Sequence, residues 1–367
     1  MKASKITIHC AVTNDINQDQ RMHRICASLV EMGYLVTIIG RNKHNSKPLI
    51  TQPFSQKRLP VYFQKGPLFY LEYNSRLLVY LMRNHQDIIY CVDTDTLLPG
   101  VISKWLKGKK LIFDAHEYFT EVPELTDRWF VKRIWKLIEQ ICIPRADLAI
   151  TVNQSLAELF TGKWKIPFHS IFNVPAFREK PISLAPEPGT ILYQGVLNKG
   201  RGLESLIDAM EFIPNINLVL AGEGDLSVQL RERALKGKCV DRIQFVGWHV
   251  PDELRLLTTK ATLGMNLLEG TSKNYYYSLA NKFFDYMHAG IPSVNMKFPE
   301  YSKIISQYDI GYLLDDLCPQ KIAELINNAL ADQEALENKR HNCVKASLHF
   351  NWKVEQEKLM ILMKLVN

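Results

Sequence analysis

The sequence predicts an α/β protein with two doubly wound, parallel-sheet domains. Apolar strands alternate with amphipathic helices in two separate series, and a proline-rich stretch lies between them. With 367 residues, the chain is also longer than one hydrophobic core usually supports. We expect an N-terminal domain over 1–174, a linker over 175–189 and a C-terminal domain over 190–350. A last helix, over 351–367, is expected to pack on the first domain.

The first series begins with KITIHCAV and continues through a helix over 20–32 that Gly33 ends. Apolar runs followed by helical sequence predict a parallel sheet that is covered on both faces. The predicted strands lie at 5–12, 34–40, 87–93, 110–117 and 147–153.

The second series follows VPAFREKPISLAPEPG (174–189), which has four prolines and no apolar period. Proline removes backbone donors and fixes the chain, so this segment is typical of a linker. In open parallel sheets, ligands bind beyond the carboxyl ends of the strands, and with two such domains we expect the site in the cleft between them. The strands predicted here lie at 190–195, 217–224, 243–248, 263–269 and 291–296.

The net charge of +7 is concentrated in the first half of the chain. Residues 1–180 hold 25 Lys and Arg against 16 Asp and Glu, whereas residues 181–367 hold 20 against 22. Such a basic half favours an anionic membrane, a phosphorylated substrate or nucleic acid as partner, although a solvated surface explains it equally well. We expect no nucleic-acid partner.

The cysteines and the apolar runs indicate the cellular compartment of the protein. Seven cysteines are scattered without a CxxC pair, which argues against a disulfide framework or a zinc site and predicts mostly buried thiols. No run approaches the roughly 20 apolar residues of a membrane span, and the start lacks a signal-peptide core. A cytoplasmic protein is expected.

The glycine pattern bears on nucleotide binding. The first strand-to-helix turn, AVTNDINQDQR, has no glycine, which argues against a dinucleotide-dependent dehydrogenase. No Walker sequence occurs, which argues against a P-loop phosphotransferase. The segment YQGVLNKGRGLESLIDA (193–209) instead combines glycines with Lys199 and Arg201 before a helix. This arrangement suits phosphate oxygens. A flexible loop with incidental charge is the alternative.

The segment YYYSLANKFFDYMHAGIP (275–292) predicts a helix with two faces. Ser278 is a suitable N-cap, and Gly290 and Pro292 end the helix. The apolar stripe consists of Leu279, Phe283 and Met287. The polar stripe consists of Asn281, Lys282, Asp285 and His288, and it could look into a cleft or simply face solvent.

Five ordered segments together resemble glycosyltransferases of the GT-B fold, and family 4 in particular. They are YQGVLNKGRGLESLIDAM, LVLAGEGDL, IQFVGW, LANKFFDYMHAGIPSV and FNWKVEQEKL. The resemblance implies retaining, metal-independent transfer of a sugar from a UDP-, GDP- or ADP-sugar to a glycan or lipid-linked acceptor, with no further cofactor. Such enzymes work in cell-surface polysaccharide or glycolipid synthesis.

The resemblance also assigns donor residues. Asp285 falls where the family binds the ribose hydroxyls, and Arg201 falls on one residue of its phosphate-binding pair. The other position of that pair, an arginine in the family, is Val196 here, for which Lys199 would compensate. Tyr277 stands where the family has a second glutamate, which leaves the contacts to the donor sugar open.

Further donor-side residues follow from the same segments. They are Gly195, Ser278, Leu279 and Lys282 near the phosphates and the sugar, and Gly247 and Trp248 near the base. Trp248 could equally belong to the core.

The acceptor side is expected in the first domain. The segment FDAHEYFTEVPEL places His116 where the family has a histidine beside the reacting sugar, with Glu117 adjacent. Asp15 and Arg21, near the first turn, are further candidates, although a solvated helix face explains Arg21 as well. The triplet Asp93-Thr94-Asp95 matches a metal-binding pattern of another fold that is common by chance, so no metal site is predicted.

The segment DRWFVKRIWKLIEQI (127–141) is amphipathic and cationic, with the composition of a helix that lies on anionic lipid. A core helix with a basic exterior is the alternative. At the level of function, two other hypotheses remain: a non-hydrolysing nucleotide-sugar epimerase, and a non-catalytic nucleotide-sugar-binding or membrane-scaffold protein.

Overall fold

The computed structural model describes residues 5–122, 125, 128–177 and 189–366. The chain forms two compact units. Unit 1 contains residues 1–173 and 355–367, and unit 2 contains residues 174–354. Most of the predicted linker, from 178 to 188, lies outside the described residues.

Unit 1 is built on a seven-stranded sheet in the order β3-β2-β1-β4-β5-β6-β7, in which every pairing is parallel. The five predicted strands are confirmed, with ends shifted by up to two residues. Two strands were missed because they are edge strands, one with a polar sequence and one with three residues. The strands are β1 (Thr7–Ala11), β2 (Leu35–Asn42), β3 (Ser55–Pro60), β4 (Ile88–Val92), β5 (Lys110–Ala115), β6 (Leu148–Thr151) and β7 (Phe168–Ser170).

The helices of unit 1 begin where side chains can satisfy free backbone amides. Asp19 accepts from the Met22 amide at 2.9 Å, and Asn153 accepts from the Leu156 amide at 2.8 Å, so both residues act as N-caps. The helices are α1 (Gln20–Glu31), α2 (Gly66–Arg83), α3 (Thr94–Lys107), α4 (Trp129–Cys142) and α5 (Gln154–Trp164).

Unit 2 is built on a six-stranded parallel sheet in the order β10-β9-β8-β11-β12-β13. The strands are β8 (Thr190–Gln194), β9 (Asn217–Ala221), β10 (Ile243–Gly247), β11 (Leu263–Asn266), β12 (Ser293–Met296) and β13 (Gly311–Leu314). Only β13, at an edge, was not predicted. Strand order reverses beside β8, and ligands of such sheets bind at the carboxyl ends next to that reversal.

Nine helices of the described chain follow the start of unit 2. They are α6 (Leu203–Ala209), α7 (Ser227–Lys236), α8 (Pro251–Lys260), α9 (Lys273–Tyr276), α10 (Asn281–His288), α11 (Pro299–Tyr308), α12 (Pro319–Ala331), α13 (Gln333–Ser347) and α14 (Trp352–Met363). Helix α14 begins in unit 2 and continues into unit 1, where Glu355 accepts from the Phe172 amide at 2.9 Å.

Two further predictions concern the cysteines and the membrane-spanning potential of the helices. The cysteines are unpaired, and all are buried except Cys318, which is partly exposed, so the prediction of mostly buried thiols is confirmed. In the part of the chain that the structure describes, we find no helix with the length and apolar character needed to cross a bilayer.

Candidate functional site

The segment 275–292 forms two helices, so the prediction of one helix capped by Ser278 is wrong. Ser272 caps the short α9 by accepting from the Tyr275 amide at 3.1 Å. The Ser278 hydroxyl donates to the Tyr275 carbonyl at 2.8 Å and is thereby tied to the end of α9. Helix α10 starts after Ala280, whose backbone is extended. The predicted end is confirmed, because Gly290 has φ +69°.

Helix α10 buries its apolar stripe as predicted, but the residues of its polar stripe lie in different environments. Lys282 is only 8% exposed and therefore does not face solvent. The imidazole of His288 lies 2.7 Å from the Phe350 carbonyl oxygen and contacts the segment after α13. Asp285 is partly buried and approaches the end of β8. Only part of this face can therefore serve a ligand.

A chain of hydrogen bonds orients the Asp285 carboxylate. Gln194, the last residue of β8, donates from its side-chain amide to Asp285 Oδ2 at 3.0 Å. The amide oxygen of Gln194 accepts from the Thr258 hydroxyl of α8 at 2.7 Å. The buried Tyr286 hydroxyl donates to the Leu192 carbonyl at 3.0 Å, and it accepts from the Gln194 backbone amide at 3.2 Å. These partners place a carboxylate at the strand-order reversal.

The loops that follow β8 and β9 meet backbone to backbone. Gly195 has φ +127°, and its amide donates to the Ala221 carbonyl at 2.9 Å. A Cβ atom at Gly222, where φ is +150°, would overlap the Gly195 carbonyl oxygen. Glycine is therefore required at residue 222, where the two loop backbones touch.

The Lys282 ammonium lies inside the loop after β8. It is 3.6 Å from the centroid of the Tyr193 ring, a cation–π distance. The Tyr193 hydroxyl donates to the Val196 carbonyl at 2.9 Å and fixes the ring. Burial lowers the pKa of Lys282 well below its usual value, and the charge of Arg201 lowers it further, against an opposing effect of Asp285.

Arg201 supplies a second cation to the same loop. Its guanidinium carbon lies 5.2 Å from the centroid of the Tyr275 ring. Its Nε is buried and, within the described residues, lacks a hydrogen-bond partner. Lys199, which was expected to compensate for the missing arginine, is exposed in this loop, and its contact with phosphate stays a prediction. The structure thus brings Arg201, Lys282 and Asp285 to one end of β8.

The other donor-side residues lie at neighbouring loop positions. Gly247 ends β10 with φ +74°, and Trp248 is 70% exposed, so the alternative that Trp248 belongs to the core is wrong. Tyr277 follows α9, and its ring contacts that of Tyr276 at 5.0 Å. Leu279 is buried with the apolar stripe, so its side chain supports the helix.

In unit 1, Asp114 at the end of β5 is fully buried and accepts several hydrogen bonds. Arg21 donates to it from Nη2 at 2.9 Å and from Nε at 3.2 Å, and the Tyr90 hydroxyl donates at 2.7 Å. The remaining Arg21 Nη1 donates to the Ile171 carbonyl at 2.7 Å. Arg21 was expected on the acceptor side. That expectation is corrected, because its guanidinium is 3% exposed and these internal partners occupy it.

His116 borders the same carboxylate. Its Nε2 lies 3.2 Å from Asp114 Oδ2, and its backbone amide donates to Asp93 Oδ1 at 2.8 Å. Burial lowers the pKa of His116, but the charges of Asp114 and Asp93 outweigh it, so the pKa is raised overall. Its side chain keeps 20% exposure, and Glu117 beside it is partly buried. The carboxylate of Asp114 therefore stabilises the protonated form of His116 at the carboxyl end of β5.

Two other acidic positions have internal partners. Asp15 is 7% exposed and accepts from Arg58 of β3 and from the Ser46 hydroxyl, both at 2.6 Å, so internal partners occupy its carboxylate. Burial raises the pKa of Asp95 to about 7, and the Thr13 hydroxyl donates to it at 2.6 Å. Among the described residues, no cluster of His, Cys, Asp and Glu side chains has an arrangement that could hold a metal ion.

Helix α4 exposes an apolar and basic face. Of its aromatic side chains, Trp135 is buried, whereas Trp129 and Phe130 are 71% and 60% exposed. The basic side chains of Arg133 and Lys136 are exposed on the same helix. Other exposed apolar side chains here are Ile134, Leu137 and Ile141 of α4, and Trp105 and Leu106 of α3.

Two family models match the chain in succession. Residues 18–175 match the model described as Glycosyltransferase Family 4. Residues 177–349 match the model described as Glycosyl transferases group 1. No match was found among curated proteins.

Solved structures share the fold over nearly the whole chain. Sucrose-phosphate synthase from Thermosynechococcus elongatus is 18% identical, with 98% of each chain covered and a TM-score of 0.79. HepE from Anabaena in complex with UDP-glucose is 15% identical, with 98% of this chain and 99% of that chain covered and a TM-score of 0.79. WaaG, a glycosyltransferase involved in lipopolysaccharide biosynthesis, is 14% identical, with 96% and 98% covered and a TM-score of 0.72.

Proposed function

The chain belongs to the glycosyltransferases of the GT-B fold, and we propose that unit 2 binds a nucleoside-diphosphate sugar while unit 1 binds the acceptor hydroxyl. The observation that supports this most is that Asp285 and two basic side chains, Arg201 and Lys282, lie at the carboxyl end of β8. A nucleoside diphosphate offers two hydroxyls and a diphosphate, which match a carboxylate and two cations. HepE, which shares the fold, was crystallised with UDP-glucose.

Asp285 is proposed to accept hydrogen bonds from the ribose hydroxyls. Its carboxylate is held by the Gln194 amide at 3.0 Å, and Gln194 is in turn held by Thr258 at 2.7 Å. A positioned carboxylate loses little freedom on binding, which is the benefit of a preorganised site.

The chemical step is proposed to proceed without a metal ion. The bond between the sugar C1 and the diphosphate oxygen breaks while the acceptor oxygen bonds to C1 from the same face, which retains the anomeric configuration. The acceptor proton passes to the departing phosphate oxygen. Arg201 and Lys282 stabilise the negative charge that develops on the diphosphate, as preorganised electrostatics requires.

His116 is proposed to act on the acceptor side. Its raised pKa favours an imidazolium that Asp114 orients, and such a group can donate a hydrogen bond to a sugar oxygen. Glu117 is a further acceptor-side candidate because it adjoins His116 at the same strand end.

The donor assignment can be tested by calorimetric titration with UDP, GDP and ADP, and then with their sugars. We expect one base to bind best, and we expect Asp285→Ala and Arg201→Ala each to weaken that binding about tenfold or more, because each removes a charged hydrogen-bond partner. Asp208→Asn is the control, since Asp208 is an exposed member of a surface ion pair in unit 2. Binding that both site variants leave unchanged would refute the donor site.

The acceptor is proposed to be a lipid-linked glycan at the inner face of the cytoplasmic membrane. The observation that favours this is the face of α4, where Trp129 and Phe130 are exposed beside basic side chains. Co-sedimentation should show binding to vesicles with phosphatidylglycerol and weak binding to phosphatidylcholine alone. The double variant Trp129→Ser, Phe130→Ser should lose the binding to phosphatidylglycerol vesicles.

The matched control for the vesicle experiment is Val228→Ser. Val228 is 69% exposed but belongs to unit 2, whereas α4 belongs to unit 1. Equal vesicle binding by the wild type and the double variant would show that α4 is only a surface helix of its unit.

A further inference from the structure

The loop after β8 has no basic side chain directly after Gly195. Val196 stands directly after Gly195, and its side chain is 51% exposed. Lys199 in the same loop is exposed as well. Lys282 belongs to a different element, α10, but its ammonium group lies beside Gly195 in this loop. A Cβ atom added at Gly195 would be 3.4 Å from Lys282 Nζ.

Lys282 is buried to an extent that is unusual for lysine. Its side chain is 8% exposed and its ammonium packs against the Tyr193 ring. Lysines are almost never fully buried unless they are paired, because removal of the charge from water is costly. The Lys282 nitrogen thus lies against an aromatic face and one turn from Asp285, and an anionic ligand at this place would favour its charged form.

The groups that face Lys282 come from several elements. Arg201, in the loop after β8, repels the ammonium, whereas Asp285, one turn along α10, attracts it. Tyr193 from β8 contributes its ring face, and Tyr275 from α9 contacts Arg201. Burial and Arg201 prevail over Asp285, so the pKa of Lys282 is well below its usual value.

We propose that Lys282 contributes a cation from α10 to the loop after β8 and takes up a proton when the diphosphate of the donor binds. This inference rests on the proposed function and concerns the same site. In the empty site, a neutral amine avoids repulsion from Arg201. Two negative phosphate groups reverse that balance, so the bound state holds an ammonium.

Proton uptake makes donor affinity depend on pH with a definite sign. A group whose pKa rises on binding favours the complex at low pH. Affinity should therefore fall as pH rises above the pKa of the empty site. The fall approaches tenfold per pH unit until the pKa of the complex is reached.

The proposal is tested by calorimetry with UDP, GDP and ADP in pairs of buffers that differ in ionisation enthalpy. The slope of the observed enthalpy against the buffer enthalpy gives the number of protons taken up. Lys282→Met keeps the shape and removes the amine. We expect it to abolish uptake and to weaken nucleoside-diphosphate binding by about tenfold to a hundredfold. Binding of the free nucleoside should not change.

Two further variants separate the charge from the shape. Lys282→Arg carries a permanent charge, so it should bind the nucleotide without proton uptake. Lys236→Met, at an exposed lysine of α7 outside this loop, should behave as the wild type. The difference between the wild type and Lys282→Met also removes any contribution from titration of the diphosphate itself.

The outcomes distinguish this inference from the donor assignment. If Lys282→Met retains both proton uptake and affinity while Asp285→Ala loses affinity, the role of Lys282 is wrong and the donor site stands. If the wild-type protein binds none of the three nucleotides, both are wrong. A normal melting temperature of Lys282→Met, which we expect because a buried amine is removed, shows that the comparison is made on folded protein.

Discussion

Replacement of Asp114 by asparagine should destabilise unit 1 severely. Asp114 is fully buried, and it accepts two hydrogen bonds from Arg21, which is itself 3% exposed. The introduced amide side chain would retain one acceptor oxygen, but it would leave the guanidinium charge buried without a counter-charge. The neighbouring His116 would also lose the carboxylate that raises its pKa.

The size of this effect follows from the geometry. At an effective dielectric constant of about 20, unit charges roughly 4 Å apart attract each other by about 4 kcal/mol. Measured losses on breaking one side of a buried pair are about 3–5 kcal/mol. A domain of this size is stable by roughly 5–15 kcal/mol. Each kcal/mol shifts the melting temperature by about 2–4 °C, so a fall of roughly 10 °C is expected.

Urea unfolding followed by tryptophan fluorescence is a suitable assay. Four of the six tryptophans, at 105, 129, 135 and 164, lie in unit 1, so the signal mainly reports that unit. Asp87→Asn is the control, because Asp87 is 37% exposed in its ion pairs and should cost at most about 1 kcal/mol. A loss for Asp114→Asn no larger than that of the control would refute the reasoning.

Two further predictions concern a backbone crossing and a titration. Gly222→Ala should destabilise unit 2 by about 1–3 kcal/mol and weaken nucleotide binding, because its Cβ would overlap the Gly195 carbonyl at a left-handed φ. Gly237→Ala, whose added Cβ would make only ordinary contacts, should be neutral in the same thermal melt. The stability difference between the wild type and His116→Gln should be largest below pH 6.5, the usual His pKa, and should decline as pH rises through the raised pKa. A difference that grows with pH would contradict the charged pair.

Most of the fold could be predicted from local sequence. Ten of the strands are short apolar runs whose burial follows from their composition, and each one is confirmed. Strands β3, β7 and β13 were missed, and each lies at the edge of its sheet and pairs on one side only. Strand β3 is largely polar and β7 has three residues, so their patterns are weak, whereas β13 has an apolar sequence, GYLL.

The candidate site was predicted less completely. Gly195, Arg201 and Asp285 could be chosen from their own segments, because glycines, cations and a carboxylate after strands indicate phosphate and ribose binding. Gln194 and Thr258 were missed, since their contribution is a hydrogen-bond chain between residues 64 positions apart. No local pattern reports such a contact.

Ser278 and Lys282 show where local reasoning fails. Serine before a helical run is a good N-cap by composition, yet its hydroxyl bonds to the preceding turn at Tyr275. Helical periodicity places Lys282 on the polar face of α10, where an exposed side chain is expected. In the folded protein, the contact between β8 and α10 buries it. Helical periodicity gives the direction of a side chain but does not give what lies in that direction.

By itself, the sequence determined two parallel-sheet domains, a resemblance to one family of glycosyltransferases and the loop that should meet phosphate. Apolar periodicity and glycine positions carry that information, since both act over a few residues. The tertiary structure decided which charged side chains are paired inside the protein, which are exposed and which are buried at the candidate site. It assigned Arg21 to Asp114, exposed Lys199, and enclosed Lys282 beside Gly195. Burial and charge pairing depend on segments that are distant in the chain, so only the folded protein fixes them.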